Sequence, residues 1–215
     1  MKTAYFWLTP QGKQLAEQLQ AHFGGTVEPK ADFAEAVRRA FADCDALVFV
    51  MATGIVVRTI APLVQSKASD PAVLVLDQRG KHVISLLSGH LGGANAMAEQ
   101  AAAYLGGEAV ITTATDVEHV PAFDLFAKEN HLTIENLEEL KYISGALVAG
   151  EPVSLCTAFP VEKNAFPETV QIQSFSETPR HACAVAISDT TESVAAPHVL
   201  YLRPKSLVLG VGCKK

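Results

Sequence analysis

The segment Ser85-Leu-Leu-Ser-Gly-His-Leu-Gly-Gly-Ala-Asn95 joins an apolar, strand-like run to a helix through small, flexible and polar residues. Packing alone does not ask for that composition. Gly89, Gly92 and Gly93 permit positive φ or close approach of backbone to a ligand. Ser88 brings a hydroxyl, His90 an imidazole and Asn95 an amide. A helix beginning near Leu91 would present N–H groups to an anion. Two further strand-like runs end in the same manner, Met51-Ala-Thr53-Gly54 with Arg58 shortly after, and Ile111-Thr112-Thr113-Ala-Thr115-Asp116. In an open α/β sheet ligands lie outside the carboxyl ends of the strands, so three such loops define one candidate cleft.

Each of these residues also has a structural reading. His90 serves equally as a brace for the next helix, and the glycines serve as ordinary turn residues. Thr112, Thr113 and Thr115 suit strand ends by propensity, Asp116 suits a helix cap, and Arg58 suits a solvated helix face. The remaining histidines, His22, His119, His131, His181 and His198, read as structural or exposed.

The elements that must position these loops follow an α/β rhythm. Ala4 to Leu8 reads as a strand, and Pro10 to Ala21 as a helix capped by Thr9, with Leu15, Leu19 and Phe23 on one stripe. A second helix spans Asp32 to Ala42. Ala46 to Met51 is apolar throughout, as expected of a strand covered on both faces. Asp77-Gln-Arg-Gly80 separates Ala72–Leu76 from His82–Leu87 and reads as a hairpin turn. Pro62 disfavours an uninterrupted crossover helix, so Ala72–Leu76 is expected to run antiparallel to Ala46–Met51, the alternative being a parallel course that puts His90 at the far end of the sheet. On the antiparallel course His82–Leu87 returns Ser88 and His90 to the edge that holds Thr53 and Thr113.

An alanine-rich helix from Leu91 to Leu105 stops at Gly106-Gly107. Another helix starts near Pro121, and from about Ile134 the texture changes to a helix, Leu137 to Val148, followed by four short strands. The expected organisation is α/β: a Rossmann-like mixed sheet over residues 1–133, a second, smaller α+β domain over 134–205, and residues 206–215 as the truncated start of a further domain.

Composition narrows the function. The 215 residues carry a net charge of −6, with basic residues at most paired, as at Arg38-Arg39, so no nucleic-acid partner is expected. The longest nearly apolar run, Ala46 to Val57, is too short to span a bilayer and no signal peptide opens the chain; a cytoplasmic protein without membrane contact is expected. Cys44, Cys156, Cys183 and Cys213 are scattered, with no ligand spacing for zinc, and read as buried reduced thiols.

Taken together, Met51-Ala-Thr-Gly-Ile-Val-Val-Arg58, Asp70-Pro71 before a strand, Leu86-Leu-Ser-Gly-His-Leu-Gly-Gly-Ala-Asn95 and Ile111-Thr-Thr-Ala-Thr-Asp116 resemble the CbiG family in order and spacing. These are the cobalt-precorrin-5A hydrolases of anaerobic cobalamin biosynthesis. The likeness is clearest from Ala46 to Asn130, while Leu137 to Leu202 is similar to the family's middle domain and Ser206 to Lys215 to the opening of its carboxy-terminal domain.

The resemblance implies a reaction in which water opens a δ-lactone of a cobalt tetrapyrrole and acetaldehyde is released. It implies a general base and donors for the oxyanion. His90 is the base it suggests, with Asp116 to orient the imidazole, and Ser88, Thr53 or N–H groups near Gly89 and Gly92 for the oxyanion. Thr53, Gly54, Arg58, Gly89, Gly92, Gly93, Asn95, Thr112, Thr113 and Thr115 are the implied substrate contacts, Arg58 for carboxylates. Cobalt arrives within the substrate, so no cofactor and no protein-bound metal are expected. A homodimer, or contact with other enzymes of the pathway, is the partner expectation. The alternatives are a non-catalytic tetrapyrrole-binding portion of such a protein and, further off, a phosphate-binding α/β domain.

Overall fold

A computed structural model describes residues 1–66, 69–162 and 165–205, in two compact units that divide between Thr113 and Ala114. The first unit contains β1 (Thr3–Trp7), α1 (Pro10–Phe23), β2 (Thr26–Val27), α2 (Phe33–Asp43), β3 (Ala46–Val50), α3 (Thr53–Ile60), β4 (Ala72–Leu76), β5 (His82–Leu87), α4 (Ala94–Leu105) and β6 (Glu108–Val110). Its six strands form one sheet in the order β2-β1-β3-β4-β5-β6.

The central strands are apolar because both faces are covered. Ala46, Val48 and Val50 of β3 pack with Leu15, Ala16 and Leu19 of α1 and with Ala94, Ala98, Ala101 and Ala102 of α4. The alternate residues Leu47 and Phe49 pack with Ala36, Val37 and Ala40 of α2 and with Val56 and Ile60 of α3. Period-two alternation thus sends neighbouring residues into opposite layers. Thr9 caps α1 by accepting the Gly12 N–H at 3.0 Å, a contact worth about 1 kcal/mol.

The strand directions decide where the loops lie. β1, β2, β3 and β4 are mutually parallel, whereas β5 is antiparallel to β4 and parallel to β6. The hairpin is therefore present, its turn closed by Gly80 N–H on the Asp77 carbonyl at 3.0 Å with Gly80 at φ 67°. The expectation that β4 runs antiparallel to β3 is overturned. Pro62 lies beyond the last residue of α3 and interrupts nothing, so a helix and a following turn complete a parallel crossover. Ser88 and His90 consequently lie at the sheet edge opposite Thr53 and Gly54.

The second unit contains α5 (Ala114–Val117), α6 (Phe123–Glu129), β7 (Leu132–Ile134), a 3-10 turn (Leu137–Glu139), α7 (Leu140–Val148), β8 (Val153–Thr157), β9 (Val170–Ser174), β10 (Cys183–Ile187) and β11 (His198–Pro204). The sheet order is β7-β11-β10-β8-β9, with only β7 antiparallel to its neighbour. The division comes earlier than the expected residue 133. Phe123 and Ala127 of α6 pack with Ile143, Leu147, Leu155 and Leu200, and β7 pairs with β11, so both elements belong to the second unit. Residues 206–215, expected to open a further domain, lie outside the described residues.

Candidate functional site

At one edge of the first sheet the chain leaves β5 through a turn that is bonded to itself and to its neighbours. Between the pairs Val73↔Leu87 and Leu74↔Ser85 the register shifts, so β5 carries one extra residue, a bulge that re-aims the strand end. Ser88 follows with φ 58°, a left-handed conformation costing a non-glycine residue about 1–2 kcal/mol. The surroundings hold it there. Ser88 Oγ donates to the Asp70 carbonyl at 2.9 Å, Ala94 N–H donates to the Ser88 carbonyl at 3.2 Å, and Asn95 N–H donates to the Gly89 carbonyl at 3.0 Å.

Asn95, buried in the first turn of α4, is the hub. Its Oδ1 accepts from Ser85 Oγ at 2.6 Å and its Nδ2 donates to Thr113 Oγ1 at 3.1 Å, which joins β5, α4 and the segment after β6. Asp70 supports the turn from the other side, its buried carboxylate accepting Gln65 N–H at 3.0 Å and Ser66 N–H at 3.1 Å. Half-buried His90 stands at the apex, and its carbonyl accepts Gly93 N–H at 3.0 Å.

The helix begins at Ala94 rather than Leu91, capped by Gly93 at φ 87°. Two of the N–H groups expected to meet an anion, those of Ala94 and Asn95, are spent on carbonyls of the turn. The glycines are explained by the same packing. A Cβ on Gly92 would strike Ser88, coming within 2.7 Å of its carbonyl oxygen, and one on Gly89 would lie 2.7 Å from Asn95 Oδ1. Both positions exclude a side chain because the turn folds onto itself.

The opposite edge holds a cleft of about 530 Å³ at the carboxyl ends of β1, β3 and β4. Strand order reverses between β1 and β3, the switch point at which open α/β sheets receive ligands. Leu8, Val50, Met51, Val75, Leu76 and Ile84 line it with apolar surface, while Thr9, Thr53, Gln78 and the pair Asp77 and His82 bring polar groups. Asp77 Oδ2 lies 3.4 Å from His82 Nδ1. Burial pushes the Asp77 carboxyl up, but the N–H groups of His82 and Arg79 and the His82 imidazole outweigh it and hold the carboxyl below its ordinary value. Arg58, exposed on α3, turns back to donate to the Gly54 carbonyl at 3.0 Å.

The expected site residues therefore separate. Ser88, Gly89, His90, Gly92, Gly93, Asn95 and Thr113, with Thr112 adjacent in the chain, gather at one edge; Thr53 and Gly54 stand at the other, with Arg58 bonded back to Gly54. Thr115 and Asp116 lie on α5 of the second unit. Sequence reading missed Ser85 and the Asp70 carbonyl as partners of the turn, although the Asp-Pro step before β4 signals one. It also missed Thr9, Gln78 and His82 as cleft residues.

Burial raises the thiols of Cys44 and Cys183 and pushes that of Cys156 up to about 11, which suits packing and opposes nucleophilic use. Among the described residues no cluster of three or more His, Cys, Asp or Glu could hold a metal ion, and no helix is long and apolar enough to cross a membrane.

Comparison with known proteins adds to this geometry. Residues 35–116 match the family model for the cobalamin synthesis G N-terminal region, and residues 121–204 match that for the cobalamin biosynthesis central region. The first match ends at residue 116 and the second begins at residue 121, a few residues beyond the division between the compact units after Thr113. The chain is similar to the cobalt-precorrin-5A hydrolase of Salmonella typhimurium, at 38% identity over 99% of this chain and 66% of that protein. It is also similar to the cobalt-precorrin-5A hydrolase of Priestia megaterium, at 36% identity over 79% of this chain and 48% of that protein. A crystal structure of a cobalamin biosynthesis protein G homolog from Sulfolobus solfataricus superposes with a TM-score of 0.55 at 25% identity, covering 94% of this chain and 60% of the other. The chain thus spans between about half and two thirds of the length of these relatives. With both regions matched in order and the fold shared, the chain belongs to the CbiG family.

Proposed function

We propose that this chain supplies the N-terminal and central regions of a cobalt-precorrin-5A hydrolase. In the proposed reaction water opens the δ-lactone that ties the ring A acetate to the C20 bridge, and the bridge carbon leaves with its methyl group as acetaldehyde. The observation that carries this reading is 38% identity along 99% of the chain to a relative of that name. Cobalt enters as part of the substrate, and the reading calls for no cofactor or protein-bound metal. It places the protein in the cytoplasm, with a homodimer or contact with other enzymes of the pathway as its partners.

Within this reading His90 is the general base. What supports it is the turn beneath it. Ser88 is held at a strained φ by Asp70 and Ala94, and Asn95 ties the turn to Ser85 and Thr113. Such over-determination is what a base needs to stay within reach of the proton it takes. Because Ser88 Oγ already donates to Asp70, the N–H groups of Gly89 and Gly92 are the better oxyanion donors. Thr53, Gly54 and Arg58 have no part in this step.

The chain's partial coverage of its relatives favours a second reading, in which it binds the tetrapyrrole and the remaining part of a longer protein supplies the chemistry. Incubating the protein with cobalt-precorrin-5A and trapping acetaldehyde separates the two. Release supports the hydrolase, substrate binding without release supports the binding portion, and neither result overturns both.

A further inference from the structure

The reaction proposed above leaves the cleft at the β1/β3 switch point unassigned, and its chemistry is specific enough to name a ligand class. Its floor is apolar and comes from four strands or their ends, Leu8, Val50, Met51, Val75, Leu76 and Ile84. Its polar groups include donors. Gln78 Oε1 is 3.3 Å from Thr9 Oγ1, a hydrogen bond that leaves the Gln78 amide N–H groups for a ligand. Thr53 adds a hydroxyl. Asp77 stands near His82 Nδ1, which orients the imidazole and leaves Nε2 for other contacts. Outside the lining itself, the exposed Lys30 ammonium donates at 2.9 Å to the carbonyl of Leu8, which is a lining residue.

The one acidic lining residue is already engaged. The Asp77 carboxylate accepts the N–H groups of Arg79 and His82, both at 2.8 Å, so its charge is held by the hairpin turn. The cleft therefore combines an apolar slot with side-chain donors and a cation bonded to the backbone of one lining residue. That combination suits a flat, mostly apolar ring with carboxylates at its edge. A volume of about 530 Å³ lies within the usual range for small-molecule sites, about 300–1,000 Å³.

We propose that this cleft binds the carboxylate-bearing edge of a flat ring ligand, at a site separate from the His90 turn. The assignment of the ligand as a corrinoid rests on the family reading; the site itself rests on the cleft. It is a binding site, and no bond is made or broken there.

The chain offers its own reporter. Trp7 is its single tryptophan, it precedes Leu8 in the chain, and its Nε1 donates to the Glu28 carbonyl at 3.0 Å. Titration of Trp7 fluorescence with cobyrinic acid, a cobalt corrinoid bearing carboxylates, is expected to show saturable quenching, with a tenfold or greater weakening in Ile55→Glu. That residue lines the cleft and is 38% exposed, so the change is compatible with folding, to be checked by circular dichroism. Lys30→Ala and Gln78→Leu are expected to weaken binding severalfold, and cobinamide, whose side chains are amides, to bind more weakly than cobyrinic acid. His90→Ala is expected to leave the titration unchanged. No saturable quenching, or equal affinity in wild type and a folded Ile55→Glu protein, overturns the site. Equal binding of the amide and carboxylate corrinoids overturns the ligand class. Because His90→Ala affects only acetaldehyde release in the reaction proposed above, failure of that reading leaves this result distinct.

Discussion

Ser88 Oγ donates to the carbonyl of Asp70 at 2.9 Å, fastening the end of β5 to the turn before β4 while Ser88 itself stands at φ 58°. One side chain thus carries both a conformational cost and the bond that offsets it. Ser88→Ala loses the hydrogen bond and keeps the strain, whereas Ser88→Gly loses the bond and relieves the strain. Chemical denaturation should therefore show Ser88→Gly more stable than Ser88→Ala by about 1 kcal/mol, even though glycine usually costs folding entropy. The reverse order would mean that the turn is not held in the left-handed region.

The glycines of the turn and of α3 should respond differently to the same small change. At Gly92 a Cβ meets the backbone and Cβ of Ser88, which cannot yield without moving the turn, so Gly92→Ala is expected to cost about 1–3 kcal/mol. At Gly89 it meets the buried Asn95 amide, with a loss in the same range. At Gly54 the nearest atom is the Arg58 guanidinium at 3.3 Å, on a flexible exposed side chain. Gly54→Ala should be neutral or gain up to about 1 kcal/mol from helix propensity. Melting temperatures of the three variants decide the matter.

Asp77 makes the hairpin sensitive to acid. Its folded carboxyl lies below the ordinary value of 3.8, so its contribution is complete above that value and disappears as pH falls through the lower folded one. Urea unfolding of wild type and Asp77→Asn should show a stability gap at pH 5, above the ordinary carboxylate value. That gap should shrink steadily below about pH 4. A gap that widens in acid would reverse the sign of the assignment.

Local chemistry was legible in the sequence, and chain direction was not. Asp77-Gln-Arg-Gly80 announced its hairpin because only glycine takes φ 67° without strain at the fourth position. The burial of every residue from Ala46 to Val50 followed from an unbroken apolar run. The direction of β4 depended instead on whether residues 51–71 cross the sheet or fold back at one end, and Pro62 suits either course. Because Pro62 sits just past α3, it marks the end of a crossover helix, and one wrong direction moved Ser88 and His90 to the wrong edge. The unit boundary was misread for a related reason. Phe123 and Leu132 look like a continuation of the first rhythm, and only their burial against Leu155 and Leu200 or pairing with β11 assigns them to the second unit.

The separation of Thr53 from His90 has its own test. Asn95 and Thr113 share a hydrogen bond at 3.1 Å, so Asn95→Ala and Thr113→Val should be non-additive in unfolding free energy, with a coupling of about 0.5–3 kcal/mol. Thr53 lies at the other end of five-residue strands. Thr53→Val combined with Asn95→Ala should therefore add to within about 0.5 kcal/mol. In an enzyme complete for acetaldehyde release, His90→Ala should lower kcat by about 10²- to 10⁴-fold, as removal of a placed base does. Thr53→Val should leave that kcat unchanged. If the two substitutions instead depress kcat together and the double variant is no worse than His90→Ala, both residues serve one step. The reaction would then have to be assembled across both sheet edges, and His90 could not act as base from its own edge alone.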